Sequence, residues 1–178
     1  MASVVPEGRP LTGRLVTIRP ATPADVPELV AIRATPEVRA RWRGDDLVAE
    51  VTADLTDPDT EFLVVELDGR IAGGIQWHAE DTPDYRHAGI DIFLAPWSHG
   101  RGVGTDAVRT LAIALIDDLK FHRLVIDPAA DNAAAIRCYA KVGFRPVGVM
   151  RQYEHDAEGD GWHDGLLMDL LAAELIRE

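Results

Sequence analysis

The chain has 178 residues, 47% of them hydrophobic, which is enough for one substantial core and too little for two. A formal charge of -12, from 30 acidic residues against 18 Lys and Arg, argues against nucleic acid as a partner, because duplex binding depends on cations that neutralise phosphates; a cationic ligand would be favoured. No apolar run reaches the ~18 residues of a membrane span, Met1 to Glu7 has neither the basic nor the apolar part of a signal peptide, and the single cysteine, Cys138, has no partner for an internal disulfide. The expectation is one soluble, cytoplasmic globular domain over residues 1–178, with residues 1–12 a flexible N-terminus and no membrane association.

Arg14 to Arg19 alternates apolar and polar residues and is closed by Pro20, which predicts a first strand. Thr22-Pro23-Ala24-Asp25 supplies an N-cap, a Pro at the first helical position and an acidic first turn, so a helix follows through Val26, Leu29, Val30 and Ile32. Pro36 interrupts it, leaving a short helix from Val38 to Trp42, and Asp46 to Leu55 repeats the helical pattern before the turn Thr56-Asp57-Pro58-Asp59. Phe62 to Leu67 and Arg70 to Trp77, joined by Asp68-Gly69, form a hairpin, since Asp-Gly suits a type I′ turn. After a polar loop from Ala79 to Arg86 come a strand from Ala88 to Leu94, a Gly-rich turn from His99 to Gly104 and a helix to about Leu119. A strand from Arg123 to Ile126, a helix from Asn132 to Val142 and two strands, Pro146 to Tyr153 and Leu166 to Leu170, complete the order. This is an α/β (α+β) chain with a mixed central sheet of about six to seven strands flanked by helices, holding one crossover from the Ile90 strand through the Gly104 helix to the Val125 strand.

A Gly-rich turn between a strand and a helix gathers unpaired N–H groups at the positive end of a helix dipole, and glycine lets that backbone approach a ligand closely. Gly100, Gly102 and Gly104 meet this need, with Arg101 as an added cation, and phosphate is the natural guest. Neither Gly-x-Gly-x-x-Gly nor Gly-Lys-Ser/Thr is present, which weakens dinucleotide and nucleoside triphosphate readings. The two serines, Ser3 and Ser98, lie in no nucleophile elbow, and the six histidines lack His-x-x-x-His pairing, so neither a serine hydrolase nor a zinc site is expected. Asp156 to Gly161 begins like a calcium loop, yet Leu167 stands where the bidentate Glu belongs.

Taken together, the run at Gly100, Gly102 and Gly104 and the block Asp131 to Phe144 resemble the acetyl-CoA signature of the GNAT superfamily, with Asn132, Ala135, Tyr139, Gly143 and Phe144 at family spacing. His99 departs from the Gln or Arg usual there. Within the superfamily, Gly89 to Leu94, Asp127 to Tyr139 and Arg41 to Gly44 resemble the aminoglycoside 6′-N-acetyltransferases. The resemblance implies a GNAT fold, acetyl-CoA as co-substrate without a metal, and a cofactor site made by Ile92, Phe93, Leu94, His99, Gly100, Arg101, Gly102, Val103, Gly104, Asn132 and Tyr139.

It further implies catalytic roles for Asp91 and Tyr139. An ammonium cannot attack a thioester, so a carboxylate must take its proton directly or through water, and Asp91 sits on the strand leading into the Gly-rich turn; Tyr139 could protonate the departing thiolate. Trp42, Asp91, Asp127, Asp160 and Asp164 are the expected substrate-binding residues, and a small-molecule amine, an aminoglycoside above all, the expected partner. Plainer readings stand beside these: Trp42 as a core aromatic, Asp127-Pro128 as a strand-ending turn, Asp160 as part of a hairpin loop, and Cys138 as an inert buried thiol. Two rivals keep the fold: acetylation of a protein N-terminus or a small metabolite amine, and a CoA-binding module without turnover. Oligomeric state stays open.

Overall fold

A computed structural model of the chain describes residues 3–5, 9–156 and 159–178. Met1, Ala2, Pro6, Glu7 and Gly8 of the opening segment, and Ala157 and Glu158 of the hairpin loop, lie outside the described residues. The strands are β1 (Leu11–Thr12), β2 (Val16–Pro20), β3 (Thr60–Leu67), β4 (Arg70–Glu80), β5 (His87–Leu94), β6 (Arg123–Ile126), β7 (Arg145–His155) and β8 (Trp162–Leu171). The helices are α1 (Val26–Arg33), α2 (Pro36–Arg39), α3 (Leu47–Asp54), α4 (Val103–Asp117) and α5 (Ala133–Ala140).

The strands form one mixed sheet of eight, ordered β1-β2-β3-β4-β5-β6-β8-β7. The count exceeds the expected six to seven because of β1, two residues paired with Ile18 and Thr17 and too short to leave a periodic signal. Among the described residues of the opening segment, Val4 and Val5 are buried, and the Val4 N–H and the Ser3 hydroxyl both donate to Glu61, which also takes the Trp77 indole N–H at 2.6 Å. The first long strand begins at Val16 rather than Arg14, because Asp106 at the start of α4 accepts the N–H groups of Arg14, Leu15 and Val16 at 3.2, 2.7 and 3.1 Å. Those donors are thus withdrawn from the sheet.

Two helical layers cover the sheet. Side chains alternating along β5 face opposite cores: Ile90 joins Leu111, Leu115 and Tyr139 under α4 and α5, while Phe93 joins Leu29, Ile32 and Val51 under α1 and α3. The Asp68-Gly69 turn is as expected for type I′, with φ of 54° and 75°. The crossover is also found, because β5 and β6 are parallel neighbours through α4.

Along its full length β5 pairs with β4, but β6 takes only Ala88 and Gly89, so the two parallel strands part after one step. A wedge opens in the middle of the sheet.

Candidate functional site

The wedge is the floor of a cavity of about 1110 Å³, bounded by the segment after α2, the end of β5, the Gly-rich turn, the end of β6, α5 and one bend of β7. Ala95 donates to the Ala72 carbonyl at 2.7 Å just beyond the Gly73 and Leu94 pair, which fixes the alternation along β5. Backbone groups of Asp91 and Phe93 therefore face β4, and those of Ile92 and Leu94 face the gap. The Leu94 carbonyl meets the His99 ring at 3.0 Å; a carbonyl only accepts, so His99 donates from Nε2. Ile92 keeps both its N–H and its C=O for a guest lying along the strand edge.

At the mouth of this gap stands the start of α4. Gly100 and Gly102 have φ of 72° and 83°, a left-handed conformation that side-chain-bearing residues rarely adopt, and Gly102 is the N-cap. The first intrahelical donor is Asp106, to the Gly102 carbonyl at 3.0 Å, so Val103, Gly104 and Thr105 point their N–H groups outward without intrahelical acceptors. Asp106, an acid in that first turn, has its carboxylate turned away from these N–H groups and onto those of Arg14, Leu15 and Val16. A Cβ on Gly104 would come within 3.2 Å of both Cys138 Sγ and Leu94 Cδ1, so this glycine lets α4, α5 and β5 converge. The residues fit an extended pyrophosphate-bearing cofactor: free N–H groups at a helix start, followed by an unpaired strand edge.

The opposite wall is acidic. Asp91 accepts a bond from Gln76 Nε2 at 3.2 Å across the register of β4 and β5. Burial pushes its carboxyl above the ordinary range, Gln76 pulls it back, and Asp127 pushes it up further. Asp127 follows the last residue of β6, and Glu154 reaches the cavity from β7 with its carboxyl raised by burial, opposed by His163 at 3.3 Å and reinforced by Asp127 and Asp91. Tyr153 beside them is pushed up to about 12, first by its bond to the Asp127 carboxylate and then by burial. Asp127 thus raises the cost of ionising Asp91 and Glu154, Asp91 adds to that of Glu154, and a cation placed among them would relieve it.

Tyr139, on α5, is buried, packs edge-on against Phe144 and lines the same cavity. Burial, then Cys138, Asp91 and Asp127, keep its phenol protonated far above the ordinary tyrosine range. It can donate a hydrogen bond but is no base. Asn132 caps α5, accepting the Ala135 N–H at 3.2 Å, and its amide lines the cavity. Trp42 packs edge-on against Phe93 at 5.0 Å beneath the Arg33 guanidinium, and it also lines the cavity.

The cavity lining takes in Trp42, Asp91, Ile92, Phe93, Leu94, His99, Gly100, Gly102, Val103, Gly104, Asp127, Asn132 and Tyr139. Three expected residues fall outside it. Arg101 is exposed, because the chain reverses at Gly100 and Gly102 and leaves the intervening side chain in solvent. Asp160 is exposed in the turn between β7 and β8, and the Asp164 carboxylate is spent on the Gln152 N–H at 2.8 Å.

Sequence reasoning missed Gln76, Tyr153 and Glu154. Gln76 comes to the site through the pairing of β4 with β5, whose register puts it opposite Asp91. Tyr153 and Glu154 come to it because the register of β7 shifts between Met150 and Glu154 at Gln152, whose φ is 49°, and such a bulge re-aims side chains that periodicity would point elsewhere.

The chain matches the family model "Acetyltransferase (GNAT) domain" over residues 15–145. Over 75 residues it is 41% identical to the aminoglycoside N(6′)-acetyltransferase type 1 of Klebsiella pneumoniae; the match covers 42% of this chain and 36% of that protein, so the chain spans little more than a third of that relative. It is 28% identical over 151 residues to the N-alpha-acetyltransferase RimI of Mycobacterium tuberculosis, covering 83% of this chain and 89% of that one. The structure of AAC(6′)-Ib in complex with parmomycin and acetyl-CoA superposes with a TM-score of 0.75 at 26% identity, over 92% of this chain and 98% of the other.

Proposed function

Since the chain belongs to the acetyltransferase (GNAT) family, we propose that it transfers the acetyl group of acetyl-CoA directly to an amine of a small polycationic molecule, the 6′-amine of an aminoglycoside. The observation that carries this reading is the pairing of one cavity's two walls: free helix N–H groups on one side and Asp91, Asp127 and Glu154 on the other. An anionic cofactor and a cationic acceptor would each meet the opposite sign of potential.

Acetyl-CoA supplies the thioester that the amine attacks. Val103, Gly104 and Thr105 would hold its pyrophosphate through their N–H groups, and Ile92 would pair with its arm through the strand edge. Asp91 would take a proton from the ammonium, directly or through water, and its raised carboxyl pKa brings it nearer the operating pH than an ordinary Asp. Tyr139 would donate a hydrogen bond at the sulfur. With its phenol held above the ordinary range, it cannot be a strong acid, so its share of the rate is the smaller. Asp127 and Glu154 would hold further ammonium groups of the acceptor.

A protein N-terminus is the second reading, favoured by the similarity to RimI over most of the chain. An assay of CoA thiol release over a panel of aminoglycosides, polyamines and N-terminal peptides tests both. Turnover with kanamycin-like compounds bearing a 6′-amine, and little with their 6′-hydroxyl counterparts, is the expected result. Turnover with peptides alone would leave the acetyl transfer and remove the acceptor.

A further inference from the structure

We propose that His163 is a positioning residue of the acceptor site: set between Glu154 and Asp156, it holds the Glu154 carboxylate on the acidic wall for a second ammonium group of the acceptor. The inference rests on the acceptor reading above and adds to it what keeps one carboxylate of that wall in place.

Glu154 and His163 stand directly opposite each other in the register of β7 and β8, just past the bulge that re-aims β7. His163 Nε2 lies 3.3 Å from Glu154 Oε2, and Nδ1 lies 3.0 Å from Asp156 Oδ1. Ionised carboxylates only accept and a neutral imidazole donates from one nitrogen, so the ring serves both acids only as an imidazolium. The charges then decide what this clasp does. Asp156 offsets the imidazolium, and Glu154 keeps a negative charge to offer the cavity. A carboxylate has about four lone-pair sites, and the half-exposed Glu154 spends one on His163. Burial pushes the Glu154 carboxyl up, His163 pulls it down, and Asp127 and Asp91 push it up further. Without the ring this carboxylate would be both loose and harder to ionise beside its neighbours.

The surroundings hold the clasp together. Next along the hairpin, His155 packs edge-on against Trp162 at 5.1 Å, and the Asp156 N–H donates to the Gly161 carbonyl at 2.9 Å. A Cβ on Gly161 would collide with Asp156 Oδ2, so glycine there leaves room for the second acid. On the other side of β8, the Ala130 N–H donates to the Asp164 carbonyl at 2.8 Å, and the acid beyond it, Asp131, is paired with Arg41 at 2.5 Å.

The test measures acetyl transfer to kanamycin, and to a monoamine of similar size, by wild type, Glu154→Gln, His163→Leu and the double variant. His163→Leu should raise the KM for kanamycin about three- to fivefold, as Glu154→Gln does, while kcat, the KM of acetyl-CoA and the KM of the monoamine stay within about twofold. The double variant should be no worse than Glu154→Gln alone, because a ring without its carboxylate has nothing to hold. Asp156→Asn leaves an uncompensated imidazolium against Glu154 and should shift the KM the same way; it decides the matter where His163→Leu disturbs the fold. Nitrogen NMR of the wild-type His163 ring should show both nitrogens protonated at neutral pH. Single effects that multiply in the double variant would make His163 a structural residue only and overturn the proposal. A lower KM in His163→Leu would make the ring a competitor of the acceptor, and a singly protonated ring would leave one acid unserved; either overturns it while the acceptor reading stands. If wild type does not acetylate kanamycin, the acceptor reading itself fails and the proposal with it.

Discussion

The two walls of the cavity are made of different material. The Gly-rich wall is mainly backbone: N–H groups at the start of α4, the open edge of β5 and glycines whose φ other residues rarely adopt, all within residues 90–105. The carboxylate wall is side chain, drawn from β5, the end of β6 and β7, which lie far apart in the sequence. A backbone site keeps its chemistry whatever side chains surround it, whereas a side-chain site can be retuned one residue at a time. The first therefore suits an invariant cofactor and the second a variable acceptor.

That contrast can be broken at five positions. Asp91→Asn should lower turnover about a hundredfold or more while the Kd of acetyl-CoA stays unchanged, since one positioned general base commonly contributes that much. Steady-state kinetics with calorimetry of the cofactor separates the two effects, and wild-type turnover would move the base elsewhere. Gly102→Val should act on the other wall alone. With φ of 83° at Gly102, a β-branched residue forces the N-cap to rearrange, and acetyl-CoA binding should weaken about tenfold, about 1.4 kcal/mol.

Glu154→Gln should raise the KM of a polycationic acceptor about three- to fivefold, the effect of a partly exposed charge pair worth up to ~1 kcal/mol, with no change in the KM of acetyl-CoA. An equal rise for both substrates would mean that the walls are not independent. The smallest effect is on pH. The base must be unprotonated, so the raised carboxyl pKa of Asp91 puts the acid limb of kcat/KM above that of an ordinary Asp. Asp127→Asn removes one cause of the rise and should move the limb to lower pH; Gln76→Leu removes the opposing hydrogen bond and should move it to higher pH. Shifts in one common direction would detach the limb from Asp91.

The same contrast explains what could be read from the amino-acid order. Gly100, Gly102, Gly104 and Asn132 were legible because a backbone site needs particular residues at fixed spacing: glycine at positive φ and a side-chain oxygen at an N-cap. Asp91, on β5, and Asp127, just past the end of β6, line the same cavity as those motifs. Asp160 and Asp164 lie outside the cavity lining, which acidity alone does not foretell; Asp160 is exposed, and Asp164 is bound to the Gln152 N–H that holds the bulge of β7. That bulge brings Tyr153 and Glu154 to the cavity, and nothing in the alternation of β7 announces it. Similarly the departure of Arg14 and Leu15 from the sheet depends on Asp106 some 90 residues away. Long-range hydrogen bonds override local pattern wherever a buried carboxylate needs donors.

The central claim, that a carboxylate wall recruits a polycationic amine for acetyl transfer, is tested most directly by kcat/KM for an aminoglycoside with a free 6′-amine as ionic strength rises from low to several hundred millimolar. Three carboxylates facing several ammonium groups should make that constant fall several-fold, and much more than for a monoamine of similar size, as counterions screen the wall. A constant indifferent to salt, or one that falls equally for the monoamine, would contradict the account.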